Sequence, residues 1–252
     1  MISKIEKVDG IYLKRNDLIE VCGCSGGKAE CIFELMKRHD NKCFVTCGSR
    51  DSLQCEIVSQ LCEYLGYTCH IFLPEGQATP TINRMRENSH TYIHAIPDGR
   101  MVVLKKRARD YAAQFGMTLI PFGVQAPSSV FVVASQTVNI PEDVKRIVVP
   151  VGGGITLCGI MQGLVNAGRT DVKVLGVLTG GNPEKTIRKY RPLFNPINYE
   201  LVPWTEGSPT QRYGDKVETS IGDVPLDPVY EAKCKKFLQE GDLLWIVGYH
   251  EV

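Results

Sequence analysis

Arg146-Ile147-Val148-Val149-Pro150-Val151-Gly152-Gly153-Gly154-Ile155-Thr156 is the stretch that decides the fold class. Its apolar, largely β-branched half reads as a strand buried on both faces. Three glycines break the run, and Leu157 to Asn166, capped near Gly168, reads as a helix. A strand that delivers a glycine turn into a helix points several backbone N–H groups at one spot beside a positive helix end. That arrangement suits a phosphate, and Thr156 adds a hydroxyl donor. A tight turn without a ligand is the alternative reading, set against the backbone entropy that consecutive glycines cost.

The dinucleotide fingerprint does not fit this loop. Leu157 stands where its third glycine belongs, and the next strand ends Val177-Leu178-Thr179 without an acid. A P-loop fits no better, because Gly27-Lys28 is followed by Ala29 and preceded by Cys22 at the first-glycine position.

Outward from the loop, strand and helix patterns alternate. Strands are expected at Phe44–Cys47, Cys69–Leu73, Tyr92–Ile96, Thr118–Phe122, Lys173–Leu178, Tyr199–Val202 and Leu243–Val247. Helices are expected from Lys28 to about Arg38, and over Gln54–Tyr64, Thr81–Glu87, Met101–Phe115, Ser128–Val138, Pro183–Tyr190 and Pro228–Leu238. Such alternation predicts three-layer α/β domains with mostly parallel sheets. The expected division is a small α/β domain over 43–126 and a large one made of 1–42 and 127–252, with hinges near Asn41 and at Pro127.

The composition is that of an ordinary globular chain: 252 residues, 43% hydrophobic, 23% charged, net charge +1. There is no basic field for nucleic acid. No apolar run approaches the ~18 residues of a membrane helix, and Met1 to Lys7 lacks the apolar core of a secretory signal. The expected location is cytoplasmic, with no membrane partner. Ten Cys without a C-x-x-C pair, and only five His, favour buried free thiols over a disulfide scaffold or a metal site. Cys55 and Cys62 fall on one face of their helix.

Lys28 follows Ser25-Gly26-Gly27 and opens a helix. A charged Lys there opposes the helix macrodipole. The opposition disappears if the amine is neutral or bound as an imine, the state that Schiff-base chemistry uses. A solvated surface lysine is the plain alternative. Taken with a distant phosphate cup, Lys28 suggests pyridoxal 5′-phosphate (PLP).

Tyr12-Leu13-Lys14-Arg15-Asn16-Asp17 followed by Gly26-Gly27-Lys28 resembles the "KRDD … GGNK" opening of the D-cysteine desulfhydrase / 1-aminocyclopropane-1-carboxylate (ACC) deaminase family. Gly48-Ser49-Arg50-Asp51-Ser52-Leu53-Gln54 resembles its "GGxQSNH", and Gly152 to Thr156 its "GSGGT". Leu226-Asp227-Pro228-Val229-Tyr230-Glu231-Ala232-Lys233 resembles "LDPVYTGK", and Leu244 to Gly248 the closing "xxHTGG". The motifs are collinear over nearly the whole chain.

The resemblance implies a two-domain tryptophan-synthase-β-like PLP fold (fold type II). It makes Lys28 the residue that forms the internal aldimine, and Gly152, Gly153, Gly154, Ile155 and Thr156 the phosphate site. Ser52 would contact substrate and assist proton transfer, and Tyr213 would be an active-site tyrosine. Val247 stands where a threonine meets the pyridine nitrogen, and Leu53 where an asparagine meets the ring oxygen, so both polar contacts are absent. Glu251 or His250 would be the replacements near the nitrogen.

The implied function is a lyase or deaminase acting on an amino-acid-like amine by elimination or decarboxylation, in a homodimer. Connecting loops shorter than the family's imply an open site, with Arg84, Arg86, Lys185, Arg188 and Lys189 as rim charges. Two further readings remain beside it. One is a PLP enzyme whose amino acid is attached to a nucleotide or DNA base, nucleic acid entering only as modified substrate. The other is a PLP-fold binding module without chemistry.

Overall fold

Ile5–Val8 (β1) and Ile11–Arg15 (β2) form an antiparallel hairpin around Asp9 and Gly10, which take φ values of 49° and 78°. Two positive φ angles match the turn's twist to that of the strands. A computed structural model describes the chain over residues 1–192, 197–205 and 214–249. Lys14, on β2, is fully buried; its Nζ donates to Ser3 O (3.0 Å) and Asn139 Oδ1 (2.7 Å). Arg15 pairs with Glu6 at 2.9 Å and Asp17 at 2.7 Å, and Ser3 Oγ donates to Asn16 Oδ1 at 2.6 Å. Lys14 to Asp17 thus work as structural polar groups.

The chain then divides. One unit is Glu20–Gln125; the other joins Met1–Ile19 to Ala126–Val252. In the first, Glu20–Val21 (β3) and Cys24–Ser25 (β4) form a small hairpin that leads into Gly27–Lys37 (α1). Then follow Cys43–Cys47 (β5), Leu53–Leu65 (α2), Thr68–Pro74 (β6), Pro80–Glu87 (α3), Thr91–Ile96 (β7), Met101–Gln114 (α4) and Thr118–Leu119 (β8). The four long-range strands make a parallel sheet in the order β7-β6-β5-β8. Gly66, at φ 66°, ends α2 with Tyr67 N donating to Cys62 O at 2.8 Å, the left-handed cap read from the sequence. Val45, Phe72, Leu104 and Ala108 close the core under α4.

The second unit continues with Pro127–Ser135 (α5), Arg146–Val151 (β9), Ile155–Asn166 (α6), Lys173–Leu178 (β10), Glu184–Tyr190 (α7) and Tyr199–Pro203 (β11). After a short hairpin of Ser220–Ile221 (β12) and Val224–Pro225 (β13) comes Leu243–Ile246 (β14). Its sheet runs β1-β2-β14-β9-β10-β11, parallel except for β1. A Cβ on Gly159 or Gly163 of α6 would come within 2.6 Å of Val133 Cγ1 or Ala134 O on α5, so glycine sets how closely these helices pack.

Two separate sheets of this kind are what the sequence predicts, and they form the α/β tryptophan-synthase-β-like PLP fold. Some details differ. Residues 20–42 group with the smaller unit, where the sequence reading had placed 1–42 with the large one; Cys24 Sγ, for example, lies 3.2 Å from Gln60 Oε1 of α2. The expected helix Pro228–Leu238 is a 3₁₀ segment, Glu231–Phe237. Asp227 Oδ1 accepts from Val229 N and Tyr230 N (both 2.9 Å), tightening its start. All ten cysteines are free, and Cys55 and Cys62 are fully buried.

Candidate active site

In the unit carrying the six-stranded sheet, β9 ends at Val151 and Gly152–Gly154 turn the chain into α6. Gly154 takes φ 90° and is the N-cap, and no side chain caps the helix. No acid lies in the first turn of α6. The leading N–H groups therefore face outward beside a positive dipole end. A Cβ at Gly154 would sit 3.0 Å from Pro183 Cβ, and one at Gly152 would sit 3.6 Å from the Tyr230 ring. Gly153 is exposed, Gly152 and Thr156 are half-buried, and Ile155 is buried. The cup is small, neutral and built from backbone, at the carboxyl end of a parallel strand.

The same unit places Val247 just past β14. Its backbone N donates to Glu231 Oε1 at 2.7 Å. Glu231 is 1% exposed, and its Oε2 is buried without a hydrogen-bond partner among the described residues. Burial first, then the Asp227 charge, pushes its pKa up to about 8. The sequence reading sought a polar replacement beyond the last strand, at His250 or Glu251, which lie outside the described residues. Among the described residues, an acid beside Val247 is Glu231, sixteen residues upstream. Its signal was available: Glu231 replaces the threonine of the "LDPVYTGK" motif.

In the other unit, Cys22 and Gly23, at φ 50° and 77°, turn the β3–β4 hairpin, and Gly26, at φ 97°, starts α1 without a side-chain cap. Lys28 is the second residue of that helix and is half-buried. Across the β5–α2 connection, Ser52 is the N-cap of α2, accepting from Cys55 N at 3.4 Å. The Cys55 thiol is fully buried and raised to about 12 by desolvation, while the Ser52 hydrogen bond and the Lys28 charge pull it down. Cys55 thus lies within electrostatic reach of Lys28 and one turn from Ser52, so the structure brings those two predicted residues to neighbouring helix starts. Gly48 packs against Ser52 and Cys55: a Cβ there would come 2.5 Å from Ser52 Cβ and 2.8 Å from Cys55 Sγ.

Leu53 and Gln54 open α2. Gln54 is buried and structural: Nε2 donates to Thr46 Oγ1 (2.9 Å) and Pro121 O (3.0 Å), and Oε1 accepts from Gly123 N (2.8 Å). Arg84, one of the expected rim charges, pairs instead with Glu56. Tyr213 lies outside the described residues.

The chain thus carries a glycine cup at a parallel strand's end in one unit and a lysine at a glycine-led helix start in the other, on a fold shared with pyridoxal-phosphate-dependent enzymes. The chain belongs to that family: the model described as "Pyridoxal-phosphate dependent enzyme" matches residues 2–193. Solved structures share the fold. An ACC deaminase homologue superposes with TM-score 0.77 at 20% identity, covering 99% of this chain and 89% of its own. Threonine deaminase isoform 2 from Solanum lycopersicum gives 0.68 at 15%, over 99% and 84%. A pyridoxal 5′-phosphate-dependent aspartate racemase gives 0.64 at 14%, over 100% and 91%. No curated protein sequence matches the chain. The residues present fit the cofactor: an uncapped cup without Cβ atoms for its phosphate, and an orphaned buried carboxyl oxygen among the polar groups.

Proposed function

We propose that the protein is a PLP-dependent lyase of the D-cysteine desulfhydrase / ACC deaminase type, acting on an amino-acid-like amine by elimination with loss of ammonia. The observation that carries this reading is Lys28, half-buried in the first turn of a helix started by a positive-φ glycine. Lys28 Nζ would hold the cofactor covalently, the N–H groups of Gly152 to Thr156 its phosphate, and Glu231 its ring nitrogen. When bound, the cofactor supplies an electron sink for a carbanion next to the substrate amine.

The chain's own groups do the rest. Lys28 Nζ, as a free amine, would be the base that takes the proton from the substrate carbon. The Ser52 hydroxyl, fixed at the start of α2, orients the substrate and assists that transfer. Cys55 stays a neutral thiol, since its pKa is about 12, and does not compete as a nucleophile. Glu231, with a pKa of about 8, is protonated at neutral pH, and the proton on its carboxyl is available to a basic nitrogen.

The test is borohydride reduction of protein incubated with PLP, followed by peptide mapping. The expected product is a reduced adduct on the peptide containing Lys28 and no adduct in Lys28→Ala. Labelling at another lysine, or none, overturns the assignment.

A further inference from the structure

Arg50 stands in the loop between β5 and α2, two residues before Ser52. It is half-buried. Its Nη1 donates to Gln77 O at 3.3 Å, in the loop that follows β6. The guanidinium lies against Gly76, whose φ is 153° and where a Cβ would come 3.0 Å from Arg50 Cζ. Thr79 Oγ1 donates to Arg50 O at 3.1 Å and also caps α3, accepting from Ile82 N. Backbone and head group are both held, at the carboxyl ends of adjacent parallel strands.

What this arginine lacks is an acid. Arg15 pairs with Asp17, Arg84 with Glu56, Arg100 with Asp98 and Arg146 with Asp242. Among the described residues, Arg50 meets only a carbonyl, although Asp51 and Glu75 are close in sequence. A guanidinium has five donors in a fixed fork that matches a carboxylate or phosphate. Holding it half-buried with one carbonyl leaves most of that fork unused. Its contacts with Gly76 and Gln77 place the head group just past the end of β6, the strand paired with β5.

We propose that Arg50 reads a second anionic group, a carboxylate or a phosphate, carried on the substrate's side chain away from the reacting amine. This rests on the reading of Lys28 as the cofactor-bearing residue. Lys28 and Ser52 set where the amine sits, and Arg50 selects amino acids with an acidic arm.

The experiment is calorimetric titration of PLP-loaded protein, a binding measurement independent of turnover. Each enantiomer of aspartate is compared with asparagine, and O-phosphoserine with serine. The anionic member of a pair should bind about tenfold or more tightly than its neutral partner. The pair showing the difference identifies carboxylate or phosphate as the group read. Arg50→Gln should erase the difference and Arg50→Lys should keep part of it. If Arg50→Gln fails to fold, the wild-type ratios and their loss in high salt still decide. Equal affinities within both pairs, or a ratio unchanged in Arg50→Gln, overturn the proposal. Borohydride labelling in parallel separates the failures: a labelled Lys28 with equal affinities defeats only the arginine reading, and no cofactor uptake defeats both.

Discussion

Helices α1 and α6 start the same way and do opposite things with the start. Each follows a glycine at strongly positive φ, 97° at Gly26 and 90° at Gly154, and neither has a side-chain cap. Ser52 and Thr79, by contrast, cap α2 and α3 in the ordinary manner. At α6 the open start is neutral and invites an anion. At α1 it carries Lys28, whose amine opposes the positive dipole end when charged. Of these two glycine-led starts only one carries a lysine, and the proposed function assigns the cofactor's phosphate to the one and amine chemistry to the other.

The sharpest way to break this comparison is Lys28→Ala. Activity should fall by at least about 10³-fold. Cofactor held through its phosphate should remain detectable on gel filtration, because α6 is untouched. Loss of all cofactor binding would mean that the glycine cup does not work alone.

Glu231→Gln should alter how stability depends on pH. Folding raises the Glu231 pKa from 4.5 to about 8, so the folded state favours the protonated acid. Its contribution is complete below about pH 4.5 and is lost as pH rises through about 8. Wild-type protein should lose a few kcal/mol, to order of magnitude, relative to Glu231→Gln between roughly pH 5 and roughly pH 9 in chemical denaturation. The difference between the two proteins isolates Glu231 from His70 and His94, whose pKa values burial lowers. Parallel curves would remove the buried-acid assignment.

Gly154→Ala tests the cup. The φ of 90° and the 3.0 Å approach to Pro183 should cost about 1–2 kcal/mol in stability. Affinity for PLP should fall more than affinity for pyridoxal, which lacks the phosphate. An equal fall for both would show the loop to be structural only. Ser52→Ala should have the smallest effect on stability. Its cap bond is long, at 3.4 Å, so the loss should sit near the lower end of about 0.5–2 kcal/mol in thermal denaturation.

The sequence was read well where local pattern decides. β9, α6 and the glycine turn between them came from β-branched content and glycine spacing, and α2 and α4 from their apolar stripes and terminal glycines. It was read poorly where long-range pairing decides. The β1–β2 hairpin was not predicted, because its mixed polar strand makes sense only beside β14, which supplies Leu243 and Leu244 opposite Tyr12 and Leu13. The helix expected at Pro228–Leu238 had the right apolar residues, but Asp227 captures the leading N–H groups and tightens the turn. Lys28, Ser52 and the glycine cup were legible as motifs. Glu231 is legible only as an acid in place of the motif's threonine; the burial that raises its pKa comes from the fold.

The pairing of β2 with β14 also sets an order of events during synthesis. The unit Glu20–Gln125 is one unbroken stretch and has all its partners once it has left the ribosome. The other unit begins earlier and finishes last. Its N-terminal hairpin is made first, yet one edge of β2 stays bare until Leu243–Ile246 is translated, and Ser3 must find Gln136, 133 positions away. Closure over such separations is slow. A nascent chain stopped before Leu243 would therefore hold one finished domain beside two unpaired strand edges, on β2 and β9, each open to pairing with another chain.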